Sequence, residues 1–179
     1  MRRLILPRGA FIALILVLCL AGCRRKGRLS VETVEESDPQ LVSMIHAADP
    51  RAAIQLVRGF YDVEQNSWRW TMGKFTVTLR PPAGAAQKGA TLELKFALPD
   101  AVIDKVKAIR VTGSINGVAM DGETYEKTGE HLYRRDVPAS SLGGEAVTVD
   151  FALDKFLTAG MVEQRELGLV MTTVGLIPK

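Results

Sequence analysis

Beyond residue 53 the chain alternates apolar and polar residues. Phe75, Val77 and Leu79 alternate with Thr76, Thr78 and Arg80, and Leu92, Leu94, Phe96 and Leu98 alternate with Glu93, Lys95 and Ala97. Val147, Val149, Phe151 and Leu153 alternate with Thr148, Asp150 and Ala152, while Ile109, Val111 and Ile115 share one parity. A period of two puts successive side chains on opposite faces, so each run predicts a strand with one buried face. Leu167–Ile177 is more uniformly apolar and predicts a central strand. Pro81-Pro82-Ala83-Gly84, Asn116-Gly117, Asp121-Gly122, Thr128-Gly129 and Gly143-Gly144 separate the runs. Asn-Gly is a strong two-residue hairpin signal, because both residues tolerate positive φ; the others read as further turns. Ala101–Lys107 reads as a short helical turn or a loop. About eight short strands at near-regular spacing predict an all-β fold over 51–179, an antiparallel sandwich or barrel.

Upstream the period is helical. Ser37 or Asp38 is a candidate cap, Pro39 suits a first turn, and Leu41, Met44 and Ile45 share a face, so a short helix is predicted there. It either packs on the domain or stands as a spacer. Residues 24–36 are charged and polar and read as a tether, which makes 23–50 a linking segment. At the start, Arg2 and Arg3 precede an apolar run, Phe11–Leu20, which closes in Leu20-Ala21-Gly22-Cys23. The run is about a dozen residues long against the roughly 20 that span a bilayer. A basic flank, a short apolar core and small residues at its end describe a signal peptide over residues 1–22.

Those four closing residues resemble the lipobox of bacterial lipoproteins. The resemblance implies cleavage between Gly22 and Cys23, a diacylglyceryl group on the Cys23 sulfur, and acylation of the new amino terminus by a palmitate-like chain. Two lipid signals already suffice for stable anchoring, so the expected partner at this end is a membrane. Arg24 stands where enterobacteria-like sorting reads an Asp as retention at the inner membrane. The expectation is therefore a bacterial envelope protein of the outer membrane. Arg24, Arg25, Lys26 and Arg28 either meet anionic headgroups or form the solvated start of the tether.

Processing changes the charge picture. Removing Met1–Gly22 takes away Arg2, Arg3 and Arg8 and no acid, which leaves 20 basic and 20 acidic residues. No basic excess remains to suggest nucleic acid. Cys19 leaves with the signal and Cys23 carries lipid, so thiol catalysis, cysteine metal sites and a disulfide are all excluded, and a packed core must supply the stability.

Four segments resemble a known kind of domain: Gly59-Phe60-Tyr61 with Glu64; Trp68-Arg69-Trp70-Thr71; Val111–Gly117; and Arg165-Glu166-Leu167-Gly168-Leu169. Together they resemble the β-sandwich of bacterial surface-polysaccharide and glycosyltransferase-associated proteins, which is similar to jelly-roll carbohydrate-binding modules. The resemblance implies a jelly-roll-like sandwich and says less about a ligand. On a strand Trp68 and Trp70 share one face and Arg69 takes the other. The two indoles either form a stacking platform for a sugar ring or plug one end of the sandwich. Arg69 has Glu64 or Glu166 as a candidate ion-pair partner, since a guanidinium and a carboxylate can pair bidentately. Tyr61 and Arg165 are candidate ligand contacts at the rim. Gly168 reads as a close backbone approach or a bulge.

Catalytic chemistry is not legible. His131 is the one histidine after residue 50 and reads as exposed and solvated; no serine motif accompanies it. Asp121, Glu123 and Glu126 match no paired-carboxylate spacing and read as a solvated hairpin, with a calcium site as the weaker alternative. Zinc ligands and a phosphate-cradling loop are missing. The expectation is a non-enzymatic, lipid-anchored protein without metal or cofactor, whose sandwich binds a glycan or envelope polysaccharide. The alternative is a protein-interaction or scaffold subunit of an envelope assembly.

Overall fold

A computed structural model describes residues 40–179. Met1–Pro39, with the signal, Gly22, Cys23 and the candidate cap Ser37–Asp38, lie outside the described residues. The described elements are β1 (Met44–His46), a 3-10 turn (Pro50–Gln55), β2 (Leu56–Glu64), β3 (Trp68–Leu79), α1 (Ala85–Lys88), β4 (Ala90–Leu98), α2 (Asp100–Val106), β5 (Ile109–Ile115), β6 (Val118–Tyr125), β7 (Gly129–Val137), β8 (Val147–Leu153) and β9 (Val170–Pro178). No helix among the described residues is long and apolar enough to cross a membrane.

All strand pairs are antiparallel. One layer runs β1-β9-β4-β7 and the other β2-β3-β8-β5-β6. The long strand β3 joins them: Arg69 and Trp70 pair with Met171 and Val170 of β9, whereas Lys74–Leu79 pair with β8. This is an antiparallel β-sandwich, and the alternating runs supply its inner faces. Leu92, Leu94, Phe96 and Leu98 of β4 are buried, as are Phe75, Val77 and Leu79 of β3 and Val147, Val149, Phe151 and Leu153 of β8. Phe75 stacks on Phe151 with centroids 4.9 Å apart, and Phe60 meets Phe75 edge-on at 5.4 Å. Tyr133 is fully buried, and its hydroxyl donates to the Asp121 carbonyl at 2.8 Å. Burial holds that phenol above its ordinary pKa.

The change of layer along β3 leaves backbone groups that neither neighbouring strand reaches, and buried N–H and C=O groups need partners. The Leu153–Val170 connection supplies them. Thr71 N–H donates to the Leu169 carbonyl at 2.8 Å, and Gly168 N–H donates to the Thr71 carbonyl at 2.7 Å. Glu166 accepts the Gly73 N–H at 2.7 Å. Gly168 is a close approach: a Cβ there would lie 2.7 Å from the Met72 carbonyl oxygen.

Three expectations change. Met44 and Ile45 belong to a strand and not to a helix. β3 covers only the start of β9, so the ladder positions of Thr173–Gly175 remain for β1, and Ile45 becomes fully buried there. The sandwich therefore begins before residue 51. It has nine strands, in keeping with the sandwich of about eight expected. Asp121-Gly122 is not a turn: it lies within β6, where Val111 pairs with Glu123 and Gly113 with Met120, so one residue of β5 faces two of β6 as a bulge. Asn116-Gly117 does close the β5–β6 hairpin, with φ of 47° and 82°. Ala101–Val106 falls within α2, and Val102 packs into the core.

Candidate functional site

Strand pairing decides which side chains share the outer face of the β1-β9-β4-β7 layer. Trp70 pairs with Val170, Val170 with Ala97, and Ala97 with Glu130. Directly opposed residues of antiparallel strands point the same way, so these four form a row across β3, β9, β4 and β7. Trp68 lies two residues along β3 on the same face. Trp68 and Trp70 are both half-buried and stand edge to face, with centroids 6.1 Å apart and planes at 87°. They line an open hollow of about 550 Å³ with Val170, Ala97, Leu98, Pro99, Asp100, Thr128 and Gly129. Trp70 packs against the core, so one indole is anchored there while both line the hollow. The indoles thus form a corner, neither an internal plug nor a flat platform.

The polar residues of the hollow come from elsewhere in the chain. Asp100 opens α2 and Thr128 lies in the turn before β7. Asp100 is exposed and forms no ion pair among the described residues. Among the described residues its carboxylate has no hydrogen-bond partner, and it lines the same hollow as the two indoles. Neither residue was a site candidate in the sequence, since nothing local links Asp100 or Thr128 to Trp68.

The remaining candidates have other duties. Arg165 donates to Glu64 at 2.8 Å and to Glu163, and its guanidinium lies 5.1 Å from the centre of the Tyr61 ring. The hydrogen bonds it donates to Glu163 and, next, to Glu64 hold its pKa above the usual arginine value. Arg165 is committed to these two carboxylates and lies over the Tyr61 ring. Arg165 and Glu166 also lie outside any strand, on the connection to β9.

The expected pairing of Arg69 with Glu64 or Glu166 does not form. Arg69 donates to the Ala47 carbonyl at 2.8 Å and to the Tyr61 carbonyl at 2.9 Å, lacing the end of β1 to β2. Glu64 goes to Arg165 and Glu166 to the Gly73 N–H. Arg135 plays the matching part on the other side of the sandwich. It donates to the Asp121 carbonyl at 2.7 Å and to Glu123 at 2.9 Å, above the Tyr133 ring.

His131 is also corrected. It is half-buried against Phe96 and Tyr125, with centroids 5.6 and 5.0 Å away, and its Nε2 lies 2.7 Å from the Lys127 carbonyl. A carbonyl only accepts, so Nε2 carries the hydrogen. Among the described residues no three His, Cys, Asp or Glu side chains gather closely enough to hold a metal ion.

The chain is thus an antiparallel β-sandwich with an aromatic corner on one outer face. No family model and no curated protein matches it. Solved structures similar to it include a family 35 carbohydrate-binding module from Clostridium thermocellum, with 11% identity and a TM-score of 0.47, covering 75% of this chain and 98% of that one. A second family 35 module, from an environmental isolate, has 15% identity and a TM-score of 0.40, covering 80% and 90%. A family GH115 4-O-methyl-α-glucuronidase with specificity for decorated arabinogalactans has 11% identity and a TM-score of 0.46 over 78% of this chain. The match spans 18% of the glucuronidase's length.

Proposed function

We propose that this protein is a non-catalytic glycan-binding module held at the bacterial envelope by lipid on Cys23. The observation that carries the glycan reading is the Trp68–Trp70 corner, with the Asp100 carboxylate, unpaired among the described residues, lining the same hollow. A sugar ring presents an apolar face and a rim of hydroxyls. An indole face suits the first, and an unpaired carboxylate accepts strongly from the second. The hollow has the volume of a small-molecule site. The expected ligand is an envelope polysaccharide or a fragment of one.

Trp68→Ala tests this, because Trp68 is not among the side chains packed on the core. Full-length protein in detergent is titrated with a panel of soluble polysaccharides by tryptophan fluorescence and calorimetry. The variant is expected to lose about tenfold or more in affinity, a difference of about 1.4 kcal/mol, with thermal unfolding little changed. Equal affinity in both proteins, or no binding by the wild type, refutes the glycan reading.

The anchoring half of the proposal rests on Leu20-Ala21-Gly22-Cys23. Radiolabelled palmitate is expected to enter the wild type and not Cys23→Ser. Label in the variant would show that the lipid is elsewhere.

A further inference from the structure

A second hollow adjoins the first along β4 and the edge strand β7. It holds about 470 Å³ and is lined by Lys95, Phe96, Ala97, Glu130, His131, Leu132 and Thr172. Ala97 lines both hollows. The strand register explains the continuity. Ala97 pairs with Glu130, and one step along that face Lys95 pairs with Leu132. Only a methyl group stands on β4 between the tryptophan corner and this second space. From β3 to β7 the face crosses three strand spacings, about 14 Å. That length exceeds one sugar ring.

The charges on this face are unspent. Lys95 and Glu130 are exposed, and neither forms an ion pair among the described residues. The contrast with the neighbouring pairs is local: Glu93 takes Arg134 one step up β4, and Glu64 takes Arg165 beside the corner. Leu132 adds an exposed apolar surface, at 36%. A donor, an acceptor and an apolar contact therefore line a space open to the first site. The perpendicular indoles bear on the same question. Two rings of a flat, crystalline surface need coplanar aromatics beneath them, and planes at 87° cannot provide them.

We infer that the two hollows are adjoining subsites of one groove. The ligand is then a soluble oligosaccharide of several units, running across the strands from the Trp68–Trp70 corner over Ala97 to Lys95, Glu130 and Leu132. This rests on the glycan reading of the corner. Hydroxyls on the distal units meet the Lys95 ammonium and the Glu130 carboxylate, and the corner takes one ring.

The test is a length series. Full-length protein in detergent is titrated with fragments of one to six units from β-glucan, xylan, mannan and arabinogalactan. In the series that binds, affinity is expected to rise about tenfold or more between one and four units and then level off. Leu132→Ala, which changes an exposed side chain that lines only the second hollow, is expected to bind the shortest ligand within twofold of wild type and to lose part of the gain with length. Lys95→Ala combined with Glu130→Ala changes only exposed side chains and is expected to lose most of the same gain. Affinity that is flat with length, or a gain that survives in both variants, overturns the shared groove and leaves the corner as a single-ring site. No binding in any series overturns the glycan reading, and the groove falls with it.

Discussion

Gly59→Ala is expected to cost about 3 kcal/mol or more, read as a lower midpoint in denaturant unfolding with an unchanged slope. Two effects add. Gly59 has a φ of +78°, where an L side chain is strained, and a methyl group there would sit 2.2 Å from the Lys74 carbonyl oxygen and 2.7 Å from the Phe75 Cα. The second effect is the larger, because the obstacle is backbone of the neighbouring strand and cannot rotate away. Gly117→Ala separates the two. Gly117 has a φ of +82° and nothing within 4 Å of the added Cβ, so it is expected to lose only about 1 kcal/mol, the left-handed penalty. Equal losses at both positions would mean that β2 yields without cost, and the close contact of β2 on β3 would then not matter to stability.

Phe75→Ala is expected to cost about 3–5 kcal/mol, which lowers the melting temperature by roughly 10 °C in a domain of this size. Phe75 is 1% exposed and touches aromatic rings from two directions, Phe60 in β2 and Phe151 in β8. Those rings are held by their own strands and can only partly fill the space. The loss therefore includes a cavity as well as the buried ring. Differential scanning calorimetry checks it. A shift under about 3 °C would show that the site collapses freely, and the aromatic stack would not be the centre of the core.

How much of this was legible follows from what each signal depends on. The alternation in Leu92–Leu98 and Val147–Leu153 depends only on which face is buried, and those runs became β4 and β8. Asn116-Gly117 depends only on local φ, and it closes a hairpin. The β2–β3 turn had no such mark. Gln65 and Asn66 take φ of 50° and 52° there, without the glycine that marks such a turn. The three residues of β1 are too short a run to show alternation, and they are a strand only because β9 has an uncovered stretch.

The same distinction governs the site. That Trp68 and Trp70 share a face, with Arg69 on the other, is a property of any strand and was readable from their spacing. Their perpendicular setting was not, nor was the identity of their neighbours. Asp100, Thr128, Ala97 and Val170 reach them only because β9 lies between β3 and β4. Glu166 bonds a backbone group of β3, and Arg69 bonds carbonyls of Ala47 and Tyr61, the second at a register shift of β2. The order of residues sufficed for strand periods and turn chemistry, since both arise within a few neighbouring dihedrals. Partners for charges, and the walls of the groove, arise from segments up to about a hundred residues apart, and packing alone brings those together.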